Sequence, residues 1–361
     1  MTVTRRELLV GLGAVAGSAV AGGIAPAKAQ ALFGHRIEDL TTGGEIAVPR
    51  GPTVLERTLL YTGQRLNLRG EGPYASLLRF DPPTPAAAIE LNAPGPGGQY
   101  QSSVTGIGFL SGNSVAKTAV NLVNVGSVNI ERIGISDRHW PGDQSIGIRT
   151  AGREMVRIRD CELACARPIV LSPNPRHPTL AADFFQIQSC VLVCTQPGGS
   201  CIEAEDGAVL TNMAIRDTAM VGGANGFRFD DRSAVGASYQ LEFQNVRTEQ
   251  GTDPNGWSFD IRSRQQVQNI LFQNVRCEPG RNGIRIRSGL QITLLNVEIE
   301  QVRGRTALDI EFMPGTVLTI LGGWVQTGGS VRLTNARRVF GVENIYGSMI
   351  GPVEVWVYAP S

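Results

Sequence analysis

One short segment recurs many times along the chain, and this internal repeat constrains the fold more than any other feature of the sequence. Between Met213 and Ile299 the repeat takes the form of four octets, MAIRDTAM, LEFQNVRT, ILFQNVRC and ITLLNVEI. Each octet alternates apolar and polar residues over its first four positions and has Asp or Asn at the fifth. Similar octets extend the series on both sides, and the fifth positions recur at intervals of 22 to 29 residues, at Arg132, Asp160, Ser189, Asp217, Asn245, Asn274, Asn296, Gly322 and Asn344. A unit of this length is typical of a solenoid.

A second recurring strip, patterned x-apolar-x-apolar, lies between successive octets. Clear copies are CIEA at Cys201, GFRF at Gly226, SFDI at Ser258 and GIRI at Gly283. Alternate side chains of a strand point to opposite faces, so a two-residue period indicates a strand. Each unit is therefore predicted to contain one strand from this strip, which we call the first strand, and two strands from the octet.

The fifth residue of the octet is predicted to form a corner between two strands. Asn, Asp and Ser tolerate left-handed φ and can hydrogen-bond to nearby backbone. Coils stacked at about 4.8 Å would form three parallel sheets around an apolar interior. The predicted fold is all-β, a single-stranded right-handed parallel β-helix of about 10 coils. The corner amides would then stack as a ladder that contains Asn245, Asn274 and Asn296.

The first 29 residues have the features of an export signal. Thr4–Leu9 (TRRELL) resembles the twin-arginine motif, and a weakly hydrophobic run rich in Gly and Ala follows it. Ala27–Ala29 (AKA) offers an A-x-A cleavage site. We predict a twin-arginine signal peptide at 1–29, a β-helix domain at 30–361, and a periplasmic or extracellular location without membrane attachment after cleavage. The alternative is a membrane anchor that is never cut.

The charge balance argues against two classes of partner. Lysine plus arginine total 33, and aspartate plus glutamate total 32. No basic excess points to nucleic acid, and no basic face points to anionic lipid. The chain is long enough for one large core, and no linker requires a second domain.

Residues 43–80 resemble the first coils of a known superfamily. GGEIAVPRG at Gly43–Gly51 is a strand that ends in Pro-x-Gly, and LNLRGEG at Leu66–Gly72 is a strand that ends in a Gly-x-Gly turn. This arrangement resembles the pectate-lyase-like superfamily, the pectin-lyase fold of many polysaccharide lyases, hydrolases and phage tailspikes. The resemblance implies carbohydrate chemistry as the commonest activity, although fold alone does not establish function. The catalytic motifs of its polygalacturonases, alginate epimerases and pectate lyases are absent, so no catalytic residue is carried over.

The six cysteines include two pairs at equivalent positions of neighbouring coils. Cys161 and Cys190 share one octet position, and Cys165 and Cys194 each lie two residues past their octets. Stacked coils bring such pairs within the Cα separation that a disulfide needs, and export permits disulfides. We predict a Cys165–Cys194 disulfide, with Cys161 and Cys190 stacked inward as small apolar residues. A zinc site is not expected, because two of these four side chains point into the core and no His lies nearby.

The first strands present many charged side chains on the outer face of one sheet. The third residues of successive strips alternate in sign, in the order Glu203, Arg228, Asp260, Arg285, Asp309 and Arg332. The fifth residues are Glu205, Asp230, Arg262, Arg287 and Glu311. The simplest interpretation is a solvated ladder of cross-strand ion pairs, each contributing about 0.2–1 kcal/mol.

The column of fifth residues breaks the alternation at Glu205 and Asp230, with Asp231 beside them. Like charges this close raise the pKa of one carboxyl, the condition that a general acid needs. Two carboxylates also carry out glycoside hydrolysis, so all three are candidate catalytic residues. Lyases of the resembled superfamily use Arg or Lys as a base and calcium as a cofactor, which implies Arg228 as a fourth candidate. The alternative is that Asp230 and Asp231 cap a turn, while Glu205 pairs with Arg228 or Arg262.

Further residues complete the predicted substrate-binding surface. His139 lies in a loop beside an aromatic residue and could carry a proton. Trp257 could stack on a sugar ring. The predicted substrate-binding set is Glu203, Asp260, Arg262, Arg285, His139 and Trp257.

Two functions follow from these observations. The leading hypothesis is an exported carbohydrate-active protein that cleaves an acidic or plant-type polysaccharide along the sheet of first strands. The alternative is a non-catalytic β-solenoid that binds polysaccharide or serves as a scaffold, and such a protein could be a homotrimer.

Overall fold

The computed structural model describes residues 44–355 except 63–64, 94–98, 152–153, 179–181, 234–235, 252, 279, 302–304, 342–344 and 351–352. The described residues form a parallel β-helix of about nine turns, close to the ten expected. Apart from strands they contain one short 3₁₀ helix, Asp137–His139. No helix within the described residues is long and apolar enough to cross a membrane. The predicted signal peptide lies outside the described residues.

Each coil contributes strands to three parallel sheets, and the longest strands bend from one sheet into the next. The first sheet contains Leu59–Tyr61, Ala86–Asn92, Lys117–Val123, Ile146–Ala151, Arg167–Leu171, Ser200–Ala204, Asn225–Asp231, the first parts of Trp257–Gln273 and Asn282–Gln301, Thr306–Glu311, and the last parts of Val317–Thr334 and Ile345–Ile350.

The second and third sheets are formed by the two halves of the octets. The second sheet contains Gly44–Ala47, Leu66–Arg69, the first parts of Gln99–Leu110 and Gly126–Ile135, Val156–Arg159, Ala182–Asp183, Gln186–Gln188, Leu210–Arg216, Tyr239–Gln244, later parts of Trp257–Gln273 and Asn282–Gln301, the start of Val317–Thr334, Ala336–Phe340 and Val353–Val355. The third sheet contains Gly51–Leu55, Ser76–Phe80, the ends of Gln99–Leu110 and Gly126–Ile135, Glu162–Cys165, Val191–Cys194, Ala219–Gly222, Arg247–Glu249, Arg276–Cys277, the end of Asn282–Gln301, the middle of Val317–Thr334 and the start of Ile345–Ile350.

A constant register in the first sheet determines which side chains fill the core. One inward row, in which every residue is fully buried, runs through Ile148, Ile169, Ile202, Phe227, Phe259, Ile284, Leu308 and Val331. Aromatic rings from the second sheet meet this row, and the Phe243 and Phe259 ring centroids are 4.9 Å apart. Because the next residue of each strand points the opposite way, the charged third residues form a matching outward row.

The corner between the second and third sheets falls on the fifth residue of each octet, as predicted. Left-handed φ values of 50° to 55° occur at Arg132, Asp160, Ser189, Asp217, Asn245, Asn274 and Asn296. Gly322 has a φ of 63°, and Asn344 lies outside the described residues.

The predicted amide ladder is confirmed along this corner. Asn296 Nδ2 donates to Asn274 Oδ1 at 2.9 Å, and Asn274 Nδ2 donates to Asn245 Oδ1 at 3.0 Å. Asn245 Nδ2 donates in turn to Asp217 Oδ1 at 2.9 Å. The ladder is therefore one residue longer than expected, and a carboxylate that only accepts terminates it.

A second left-handed row marks the start of the second sheet, and the sequence did not indicate it. Register places its members in successive coils, with φ values from 47° to 57°, at Ser127, Met155, Phe184, Asn212 and Gln240. The backbone is held by the following coil, since Ser127 N donates to Glu154 O at 2.9 Å and Met155 N donates to Asp183 O at 2.8 Å. Met, Phe and Gln are not typical turn residues, so their residue types carry no signal for this corner.

The paired cysteine positions stack in register, but all six cysteines are free thiols. Cys165 and Cys194 are strand partners, and the predicted disulfide between them is not formed. Cys194 Sγ instead turns to backbone carbonyls, lying 3.0 Å from Ala166 O and 3.4 Å from Gln196 O. Cys161 and Cys190 are buried, as expected.

Arg281 links three coils at the entrance to the first sheet. Its side chain is only 1% exposed, Nη1 donates to Gly222 O at 3.0 Å, and Nη2 donates to Glu249 O at 3.0 Å. Burial lowers the pKa of the guanidinium below its ordinary value. Gly251 leaves room for it, because a Cβ there would lie 2.9 Å from the Arg281 side chain. The guanidinium thus satisfies carbonyls at the strand ends of two preceding coils.

Candidate functional site

The outer face of the first sheet carries two parallel columns of charge, in the register that the sequence predicted. The third residues pair in the order Glu203, Arg228, Asp260, Arg285, Asp309 and Arg332. The fifth residues lie beside them, and Asp230, Arg262 and Arg287 are successive partners.

An open depression of ≈ 410 Å³ lies on this face, lined by Arg167, Glu203, Ala204, Glu205, Asp206, Arg228, Asp230 and Arg232. The catalytic candidates Glu205, Asp230 and Arg228 therefore meet at one place.

Glu205 is held by two arginines from the two preceding coils. Arg149 Nη2 and Ser172 Oγ donate to Oε2 at 2.8 and 2.7 Å. Arg167 Nη2 donates to Oε1 at 3.1 Å, while its Nε donates to Glu203 Oε2 at 3.0 Å. Neither arginine was among the predicted site residues. Arg149 belongs to the outward column of third residues and could have been found by register, whereas Arg167 precedes its strip and carried no such signal.

Asp230 is surrounded by arginines rather than by carboxylates. Its Oδ2 accepts from Arg262 Nη2 at 2.8 Å, from Arg228 Nη2 at 3.2 Å and from Arg232 Nη2 at 3.3 Å. The carboxylate therefore has three guanidinium groups as hydrogen-bond partners. Glu205 was expected, as the alternative, to pair with Arg228 or Arg262. It pairs instead with Arg149 and Arg167, and Arg228 and Arg262 pair with Asp230.

The expected rise in carboxyl pKa does not occur. Partial burial acts to raise the pKa of Glu205, but Ser172, Arg149 and Arg167 outweigh it and hold the pKa below the ordinary 4.5. Burial is likewise outweighed at Asp230, where Arg228, Arg262 and Arg232 hold the pKa below 3.8. Like-charge repulsion was expected to dominate because the sequence did not show how many guanidiniums reach these carboxylates. Both groups are ionised at neutral pH, so neither is a proton donor there.

Asp231 points away from the depression and is buried against the neighbouring turns. Ser263 Oγ donates to its Oδ2 at 2.9 Å, and the backbone N–H groups of Gly207 and Ser233 donate to its Oδ1 at 3.2 Å. Asp231 therefore caps a turn, which is the structural alternative considered for it. The pKa of Asp206 is lowered by the N–H of Arg232, which donates at 2.7 Å.

The predicted binding residue Asp260 is saturated with hydrogen bonds. Arg285 is bidentate on it, with Nε–Oδ1 at 2.7 Å and Nη2–Oδ2 at 2.6 Å, and Arg262 Nη2 donates to Oδ2 at 3.0 Å. The Arg285 guanidinium also lies 4.7 Å from the centroid of the Trp257 ring. Trp257 is only 5% exposed, and this guanidinium covers the ring face on which a sugar was expected to stack.

His139 lies apart from the carboxylates. It ends the 3₁₀ helix in the loop before Ile146–Ala151, at the start of the first-sheet strand, whereas Glu205 and Asp230 lie at the other end of their strands. Its side chain is exposed, and its backbone O accepts from Ser111 N at 2.6 Å. The structure does not bring it into the depression.

The residues around the depression do not fit a calcium ion. Among the described residues there is no group of three or more His, Cys, Asp or Glu side chains that could hold a metal. Calcium is bound by six to eight oxygen ligands, and the two central carboxylates here are already engaged by guanidiniums. The calcium-dependent lyase chemistry implied by the resemblance therefore has no support from this donor set.

Comparison with known proteins identifies the fold. The sequence matches no protein-family model and no curated protein. PfbA, a surface adhesin of Streptococcus pneumoniae, superposes with a TM-score of 0.50 at 11% identity, over 89% of this chain and 87% of that one.

Two further solved structures are similar at a lower score. The alginate lyase from Paenibacillus sp. str. FPU-7 has a TM-score of 0.45 at 11% identity, over 84% of this chain and 92% of that one. The Dettilon tailspike protein has a TM-score of 0.47 at 11% identity, over 87% of this chain, which spans 61% of the tailspike. At this identity these similarities bear on the fold alone.

Proposed function

We propose that this protein binds an extended acidic polysaccharide along the outer face of its first sheet, centred on the depression. The observation that carries the proposal is the set of guanidinium N–H groups that remain free on this face. Arg232 is 75% exposed, and its side chain makes a single hydrogen bond to the described residues, with Asp230 as the acceptor. A guanidinium has five N–H donors in a planar fork that matches a carboxylate, so Arg232 and its neighbour Arg228 can take a uronate carboxylate.

The carboxylates of the depression suit the remaining groups of such a ligand. Glu203, Glu205 and Asp230 are each fixed by arginines, so their orientation is set before a ligand arrives. Ionised carboxylates accept hydrogen bonds from sugar hydroxyls. A surface that alternates fixed donors and acceptors complements a chain whose residues each carry both a carboxylate and hydroxyls.

Of the two functions predicted from the sequence, the geometry favours binding over cleavage. Hydrolysis requires one carboxyl that is protonated near neutral pH, and the pKa values of both Glu205 and Asp230 are lowered. Elimination requires a base, and the candidate Arg228 instead donates a hydrogen bond to Asp230 Oδ2 at 3.2 Å. Neither Glu205 nor Asp230 is thus suited to be the acid, and Arg228 is engaged as a hydrogen-bond donor.

The proposal includes a location outside the cytoplasm, where such polymers occur. The twin-arginine motif at Thr4–Leu9 and the cleavage site at Ala27–Ala29 support it. Cell fractionation and N-terminal sequencing of the secreted form test this part, with Gln30 expected as the first residue. Full-length protein retained in the cytoplasm would exclude it.

The binding proposal is tested with a panel of polygalacturonate, alginate and neutral glucan, measuring affinity and new chain ends in the same samples. We expect an acidic polymer to bind, with an affinity that falls as salt is added. Arg232→Gln and Arg228→Gln should each weaken binding by about fivefold or more. Arg276→Gln is the matched control, since Arg276 is also paired with carboxylates but lies on the third sheet.

Three results would count against the proposal. If no acidic polymer binds, or if Arg276→Gln weakens binding as much as Arg232→Gln, the depression is not the site. If new reducing ends or unsaturated uronides accumulate and Arg228→Gln abolishes them, the protein is an enzyme and binding alone is an insufficient description.

A further inference from the structure

Asp309 lies farther along the outward column of third residues, and its two carboxylate oxygens have different surroundings. Its Oδ2 accepts from Arg287 Nη2 at 2.8 Å, and its backbone O accepts from Arg287 Nη1 at 3.0 Å. Its Oδ1 is buried and has no hydrogen-bond partner among the described residues. The side chain is 6% exposed, and an unmet buried acceptor is costly. This oxygen therefore needs a donor.

Asp260, two coils earlier in the same column, shows what the full set of partners looks like. There the arginine of the next coil, Arg285, is bidentate and satisfies both carboxylate oxygens. The corresponding arginine for Asp309 is Arg332, its direct register partner. Arg332 is exposed and makes no ion pair with any described side chain. An Asp–Arg ion pair is thus formed between Asp260 and Arg285, whereas the equivalent pair between Asp309 and Arg332 is not formed.

We infer that Asp309 and Arg332 form a second contact point for the polysaccharide, which takes one acidic sugar residue. A sugar hydroxyl donates to Asp309 Oδ1, and the carboxylate of the same residue accepts from the Arg332 guanidinium. This inference rests on the proposed function. The inference adds that the bound polysaccharide carries a carboxylate on a sugar unit that lies well beyond the depression.

The spacing of the coils gives the required ligand length. Asp309 is three strands from Arg228, and Arg332 is four. At about 4.8 Å per strand, Asp309 lies roughly 14 Å and Arg332 roughly 19 Å along the face from the depression. A disaccharide seated in the depression does not reach either residue, whereas a long chain lying across the strands does.

The test compares polygalacturonate with digalacturonate, and alginate with its dimer, on Asp309→Asn, Arg332→Gln and the control Arg276→Gln. Asp309→Asn and Arg332→Gln should each weaken binding of whichever acidic polymer the protein binds by about fivefold. Neither variant should change the affinity for the corresponding disaccharide. Arg332→Gln lies on the surface and is expected to fold normally, so it keeps the test valid if Asp309→Asn is unstable. Thermal unfolding without ligand reports whether Arg332 pairs with Asp309 in the free protein.

The outcomes separate this inference from the function on which it rests. If an acidic polymer binds but Arg332→Gln binds it with unchanged affinity, the second contact point is wrong and the depression stands. If Arg332→Gln lowers the unfolding temperature and that effect disappears in the Asp309→Asn background, the two residues already pair, and the inference is overturned. If no acidic polymer binds to the depression, both proposals are wrong.

Discussion

Asn274 lies in the middle of the corner ladder, where it donates to Asn245 and accepts from Asn296, with a φ of 52°. Alanine would remove both side-chain hydrogen bonds and place a residue that disfavours left-handed φ at the corner. Glycine would remove the same bonds and keep the conformation accessible. We expect Asn274→Ala to lower the free energy of unfolding by about 2 kcal/mol and Asn274→Gly by about half as much, measured by urea denaturation. Equal losses would show that the ladder, and not the backbone conformation, carries the whole effect.

Asp230 makes stability depend on acidity in a defined direction. Its folded-state pKa is lowered below 3.8, so its contribution is fully present above that value and is lost as the pH falls through the folded pKa. Asp230→Asn should therefore have a lower unfolding temperature than the unmodified protein at neutral pH. Between about pH 7 and pH 3, the unfolding temperature of the variant should fall by less than that of the unmodified protein. The measurement is thermal unfolding across this range. A variant with an unchanged acid dependence would contradict the pKa direction.

Single residues show both how far sequence reasoning reached and where it stopped. Asn245 and Asp217 revealed a corner because their side chains suit left-handed φ. Met155 and Phe184 adopt the same conformation for a different reason, because neighbouring coils hold the backbone there. A conformation imposed by stacking leaves no mark in residue type. The direction of the carboxylate pKa shifts was predicted wrongly for a related reason, since Arg167 reaches Glu205 from a position outside the repeat.

Strand ends of successive coils are held together by Arg281, which spans the carbonyls of Gly222 and Glu249. Arg281→Met would remove the guanidinium donors from the buried carbonyl of Gly222 and the part-buried carbonyl of Glu249, at about 1–3 kcal/mol each, while retaining much of the side-chain volume. We expect a loss of about 2–5 kcal/mol in urea denaturation, with only partial recovery in Arg281→Lys, because one ammonium group does not reproduce the fork of two donors. A loss below 1 kcal/mol would show that water replaces the guanidinium.

The strands that belong to the repeat were predicted from the sequence, whereas the structure of the loops between them was not. Alternating patterns located the first-sheet strands such as Ser200–Ala204 and Asn225–Asp231, because the burial that produces a period of two is the same in every coil. The 3₁₀ helix Asp137–His139 lies in a loop insertion, where no repeat exists to compare. That loop is held by Lys117, whose Nζ donates to the carbonyls of Asn113, Val115 and Pro141, and these contacts have no counterpart among the described residues of the other coils.

Taken as a whole, the molecule is a one-dimensional stack in which each coil contacts mainly its two neighbours, so a complete coil should be removable. Deleting residues 246–274 removes one repeat interval of 29 residues and joins Asn245 to Val275. The new junction reads Gln-Asn-Val-Arg, which is identical to the native corners at Asn245 and Asn274. On the first sheet, Asp230 would then lie beside Arg287, which preserves an opposite-charge pair. We expect this variant to fold cooperatively, with a β-sheet circular dichroism spectrum and reduced stability.

A shorter deletion provides the control. We expect folding to depend on whether a complete repeat is removed and not on the number of residues removed. Removing residues 246–259 takes away half as much chain but joins the corner at Asn245 directly to Asp260. That coil loses its third-sheet strand Arg247–Glu249 and the buried start of Trp257–Gln273, so both neighbouring coils would face an unpaired edge. We expect this protein to aggregate or to unfold without a cooperative transition. If the two deletions behave alike, the coils are not interchangeable units, and the periodic register that brings the charged columns together must depend on longer-range contacts.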